Sequence, residues 1–131
     1  MKTLRWNMIM VGRAIFWLWL LSFAYIHFTN AQALAWFVPG YFPNPVFWVY
    51  FVWACLGLAW ISFIINKATI ISWIGIAVML LIFIIILHIP SLAQNPGALT
   101  NLLKDLIIAG WALMIAWMDA WDATEMKAKK R

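Results

Sequence analysis

The chain has 131 residues; 67% are apolar or aromatic, 10% are charged, and the formal net charge is +5. A water-soluble domain of this length cannot bury that much apolar surface, so lipid is the natural solvent for most of it. The single cysteine, Cys55, excludes an intrachain disulfide and a cysteine-based metal cluster. The basic residues lack the aromatic interleaving of a nucleic-acid binder, so no nucleic-acid partner is expected.

A helix needs roughly 20 apolar residues to cross the hydrocarbon core. Four stretches qualify, at about 8–28, 45–65, 69–89 and 101–121. They are separated by "VPGYFPNP", "NKAT" and "PSLAQNPG", proline-, glycine- or polar-rich breaks of the kind that stop helices. No linker is long enough to divide two domains. The expectation is one membrane domain over 1–131, an all-α four-transmembrane-helix bundle with outer loops 29–44 and 90–100 and a basic tail over 122–131. The "AQA" at Ala31–Ala33 resembles a signal peptidase site, but the segment before it reads as an uncleaved first span.

Span one, "MIMVGRAIFWLWLLSFAYIHF", carries Arg13 about five residues in and Tyr25 and His27 at its far end. Arg13 either snorkels to lipid phosphate or pairs inside the bundle, with Asp119 or Asn66 within reach at that depth. The following loop, "AQALAWFVPGYFPNPVFW", is uncharged and aromatic. Its Trp36 and Tyr41 suit the bilayer interface, or serve as a lid over a site on that side. Span two has a weak polar stripe of Cys55, Ala59, Ser62 and Asn66, best read as helix–helix contact. Span three ends in "IIILHIP", which brings His88 to the end of the span.

Span four, "TNLLKDLIIAGWALMIAWMDAW", opens with Lys104 and Asp105. Charges in hydrocarbon are costly. Capping by Thr100 or Asn101, the helix macrodipole and snorkelling would explain them at a helix start. A sharper reading comes from the helical face: Asp105, Ala109, Ala112, Ala116 and Asp119 fall on one stripe. Small residues mark the close-packed side of a membrane helix, so Asp105 is expected to point into the protein. Asp119 and Asp122, at the other end, are expected to meet water and nearby cations.

Orientation follows from the basic residues. Lys2 and Arg5 precede span one, Lys67 lies between spans two and three, and Lys127, Lys129, Lys130 and Arg131 follow span four. Loops 29–44 and 90–100 contain no Lys or Arg. The positive-inside rule therefore puts both termini in the cytoplasm, with the basic tail near anionic lipid. Tyr25, His27, His88, Lys104 and Asp105 then reach the same outer level of the membrane. These five are the candidate ligand-binding set. Arg13 is a structural or lipid-facing charge.

In order and spacing, "VGRAIFWLWLLSFAYIHF", "VPGYFP", "FWVYFVWACLGLAW" and "LKDLIIAGWALMIA" resemble the DoxX-like family of small four-helix integral membrane proteins over Val11 to Ala116. The resemblance implies a four-helix membrane bundle in a bacterial inner membrane. It also implies a place as a subunit of a quinone-linked or other membrane-associated redox complex. Arg13, His27, Lys104 and Asp105 are the positions it connects to the family pattern. Many relatives carry a Glu in span two, where this chain has Trp53 to Cys55 and no carboxylate.

Several functions follow as expectations. The first is a redox-complex subunit that helps form a quinone site, with His27 or His88 donating to a quinone carbonyl and Asp105 orienting the ring or exchanging a proton. The second is a purely structural or assembly subunit of a larger membrane complex. A haem b carrier using both histidines and a small-molecule transporter rank below these. No nucleotide loop, HExxH spacing or hydrolase triad is present, so the chain is not expected to be an enzyme by itself, and no metal is expected.

Overall fold

The computed structural model describes residues 2–128, apart from the side chains of Lys2, Thr3, Arg5, Trp6 and Lys127. The basic tail residues Lys127, Lys129, Lys130 and Arg131, and Lys2 and Arg5 at the start, thus lie outside the described side chains. Every regular element is helical: α1 (Lys2–Thr29), α2 (Ala31–Leu34), a 3-10 turn (Ala35–Phe37), α3 (Pro45–Ile64), α4 (Thr69–Phe83), a π-helical turn (Ile84–His88), α5 (Ile89–Ser91) and α6 (Ala98–Ala128). Among the described residues, four stretches are long and apolar enough to cross a membrane: Asn7–Thr29, Pro45–Ile64, Thr69–Ser91 and Ala98–Met126. The protein is an all-α membrane protein. Helices are the form in which a single chain segment satisfies its own backbone polar groups in lipid.

Contacts divide the chain into two compact units that meet at Ile64 and Ile65. The first is a hairpin of α1 and α3, with α2 and the 3-10 turn packed on α3. Its core includes Leu20, Ala24, Ala31, Val49, Leu56, Ala59 and Phe63. Ala31, the first residue of "AQA", is helical and buried. α1 closes on its own polar groups: Thr29 Oγ1 donates to the Tyr25 carbonyl at 2.9 Å, and Asn30 Nδ2 donates to Thr29 Oγ1 at 2.9 Å. α3 begins at Pro45, whose missing N–H costs nothing at a first helical position. Asn44 precedes it with φ 50° and accepts from the Phe47 N–H.

The second unit is a hairpin of α4 and α6, with the π turn also packed on α6. Its core alternates large and small: Trp73, Ile76, Ala77, Leu80 and Ile84 on one side, and Ala98, Asp105, Ala109, Ala112 and Ala116 on α6. The stripe expected on α6 is buried from Asp105 to Ala116 and half-buried at Asp119, which lets the two backbones approach closely.

Two elements differ from expectation. Asn66 is not on the α3 stripe: it lies past the end of the helix, exposed, with φ 52°. α6 begins at Ala98, so Thr100 and Asn101 are inside the helix and do not cap it. Gly97 stands immediately before it, its carbonyl accepting the Asn101 N–H at 3.1 Å, and a turn at Asn95 leads in, with Asn95 Oδ1 accepting the Gly97 N–H at 2.9 Å and its carbonyl the Ala98 N–H at 3.0 Å. Lys104 and Asp105 are therefore in the second turn, where the terminal dipole has faded, and their placement needs another reason.

Candidate functional site

That reason lies across the hairpin. Asp105 is only 4% exposed. Its Oδ2 lies 3.0 Å from His88 Nε2 and its Oδ1 lies 3.5 Å from Lys104 Nζ. Both carboxylate oxygens thus face a nitrogen donor, which offsets part of the desolvation cost of a buried charge. The His88 side chain is 17% exposed and that of Lys104 40% exposed, so the cluster opens outward through these two residues while its carboxylate is enclosed.

His88 reaches Asp105 because of a local departure from α-helical geometry. Ile84–His88 forms a π turn, in which the Ile89 N–H bonds the Ile84 carbonyl five residues back. Pro90 explains it: proline has no N–H to donate and its ring crowds the carbonyl four residues earlier. The Ser91 hydroxyl then donates to the Leu87 carbonyl at 2.6 Å, returning a donor to the broken ladder. One inserted residue turns everything beyond it by about 100° relative to α4. π bulges are frequent at functional sites.

The other end of the same hairpin carries a second polar link. Trp73 is 1% exposed, and its indole Nε1 donates to Asp119 Oδ2 at 3.2 Å. A buried indole N–H needs an acceptor. Asp119 is half-buried and bonded across the hairpin, a partner beyond the water and cations expected of it. Asp105 and Asp119 stand 14 positions apart on one stripe, about 21 Å along the helix, and fasten the two ends of the α4–α6 pairing. Sequence reasoning did not single out Trp73. The available signal was a tryptophan in the first turns of span three, at the depth of Asp119.

The other candidates lie in the first unit. Tyr25 is 67% exposed. His27 is half-buried and its Nδ1 meets the Phe23 carbonyl of its own helix at 2.8 Å. A carbonyl only accepts, so this nitrogen carries the proton. Phe16, Trp19, Phe23 and His27 form a continuous ladder of rings down α1, with centroids 5.3, 4.6 and 6.1 Å apart. Arg13 is half-buried at the level of Trp17 on the same helix. Trp36 is 89% exposed. Tyr41 is exposed and packs on Phe42, which contacts Trp48 edge-on. Trp48 Nε1 donates to the Pro43 carbonyl at 3.0 Å and fastens this loop to the start of α3.

Among the described residues, no group of three or more His, Cys, Asp or Glu side chains is arranged to hold a metal ion. Iron ligation through His88 Nε2 would require breaking its contact with Asp105. Compared with protein-family models, curated proteins and solved structures, the chain matches none.

The arrangement supplies an imidazole fixed by a buried carboxylate at the end of a membrane span, with a cation beside it. Such a group orients and accepts or donates a hydrogen bond to a ligand that enters from lipid or from the membrane surface.

Proposed function

We propose that the chain is a small integral membrane subunit of a membrane-associated redox complex, and that His88, Asp105 and Lys104 form part of a quinone site. In this reading the chain sits in a bacterial inner membrane with both termini cytoplasmic, and the site lies at the outer face. The observation that carries the reading is the His88–Asp105 contact, built by a π turn and enclosed by apolar packing. Purely structural polar links in membrane helices do not need a partly open imidazole. The resemblance to DoxX-like proteins points the same way, toward redox subunits and redox protein partners. Lipid contacts the many exposed apolar side chains of all four spans.

The test is quinone-linked turnover in the native membrane after His88→Ala, with His27→Ala alongside. Loss on His88→Ala with the complex intact supports the site. Unchanged turnover removes it.

A second reading has its own observation. The Trp73–Asp119 link joins the same two helices without any histidine, so the aspartates of α6 also serve as fasteners. On that basis the chain would be a structural or assembly subunit. Deleting it would then dissolve the complex, while His88→Ala and Asp105→Asn would leave assembly and turnover unchanged.

A further inference from the structure

We infer that His88 is held as its Nε2–H tautomer, with Nδ1 as a hydrogen-bond acceptor for a hydroxyl-bearing ring, so that the site prefers the hydroquinone to the quinone form of its ligand. This rests on the quinone reading above and reverses the role first expected of the histidine, a donor to a quinone carbonyl.

Nε2 faces Asp105 Oδ2 at 3.0 Å. A carboxylate has lone pairs and no proton to give, so the hydrogen in this contact belongs to the imidazole. Lys104 Nζ, 3.5 Å from Oδ1, supplies the countercharge that accompanies a carboxylate. A neutral imidazole has one N–H. Once that N–H is committed to Asp105, the other nitrogen can only accept. Nδ1 has no hydrogen-bond partner among the described residues, and the side chain retains 17% exposure. In an ordinary helix Nδ1 is readily taken by the carbonyl four residues back, as His27 shows with Phe23. At His88 that carbonyl belongs to Ile84, inside the π turn, and the ring instead turns its Nε2 to Asp105. Nδ1 is thereby left to a ligand.

An acceptor of this kind discriminates by ligand redox form. A hydroquinone presents O–H donors, which satisfy Nδ1. A quinone presents carbonyl lone pairs, which oppose it. Leaving a polar group unpaired costs about as much as a hydrogen bond supplies, so the expected preference is about tenfold.

The experiment uses the full chain in lipid nanodiscs. Nitrogen-15 spectra of labelled histidine, assigned with His27→Gln, report which nitrogen of His88 is protonated. Binding of a short-chain ubiquinol and of the matching ubiquinone is measured on the same sample. The expected result is a protonated Nε2 and about tenfold tighter binding of the ubiquinol. In Asp105→Asn the amide can donate to Nε2 and move the imidazole proton to Nδ1, so the preference is expected to vanish or invert. Protonation of Nδ1 in the wild type overturns the inference, and so does equal binding of the two forms, which leaves the quinone site itself standing. Binding of neither form overturns the inference and the quinone site together. If Asp105→Asn does not fold, the wild-type spectrum and the wild-type preference still decide.

Discussion

His88 and Asp105 meet at 3.0 Å only because the helix that carries His88 departs from α-helical geometry four residues before it. The carboxylate it meets is buried on a stripe of alanines that pack closely against the neighbouring helix. Positioning at this site is thus a property of the α4–α6 hairpin as a whole, and each of its parts makes a separate claim.

The π turn depends on Pro90. Pro90→Ala restores a backbone donor and lets Ile84–His88 return to α-helical pairing, which rotates His88 by about 100° relative to the residues beyond it. Loss of the His88–Asp105 contact is expected, read as a changed His88 nitrogen-15 signal, while far-ultraviolet circular dichroism stays helical. An unchanged His88 signal would show that the π turn has another cause.

Asp105 accepts from one cationic and one imidazole neighbour in a buried position. Asp105→Ala leaves the His88 N–H without its acceptor and is expected to destabilise the hairpin by about 1–3 kcal/mol. Thermal unfolding in mild detergent measures it. The same substitution at Asp122, which lies outside the buried stripe, is expected to fall within about 0.5 kcal/mol of wild type.

At the opposite end, Trp73→Phe keeps most of the ring and removes the donor to Asp119. Cross-helix hydrogen bonds in membranes average about 0.6 kcal/mol and reach about 1.7. A loss of about 1 kcal/mol is expected, additive with Pro90→Ala, since the two sites are about 20 Å apart.

The close approach of α4 and α6 rests on Ala109 and Ala112, which are fully enclosed. Ala112→Leu forces the helices apart and is expected to cost about 1–3 kcal/mol. Met114→Leu, on an exposed face of the same helix, is the matched control and is expected to be neutral.

Much of this was legible in the sequence. The four spans follow from apolar length and from proline and glycine breaks, and the alanine period on α6 correctly turned Asp105 inward. The start of α6 was placed too late because Asn95, Pro96 and Gly97 form the turn that leads into it, in a stretch read as loop, whereas Thr100 and Asn101 stood nearer the apolar run. Asp119 was expected to meet water and cations, or Arg13, because a carboxylate near the end of a span usually does. Its indole partner is 46 positions away in the chain, and no local pattern reports a pairing of that kind. The π turn was hidden for a related reason: Pro90 signals the end of a regular helix but not whether the chain stops, kinks or bulges there. Ala68, at φ 56°, shows the same limit, since alanine in the left-handed region is chosen by the turn it must make and not by its own preference.

The central claim is that His88 holds a quinone. Native mass spectrometry of the full chain, purified from its own membrane in mild detergent, tests it most directly when wild type and His88→Ala are compared for retained isoprenoid quinone. Quinone bound to the wild type and lost from the variant is the predicted result. No retained quinone in either, or equal retention in both, would contradict the account.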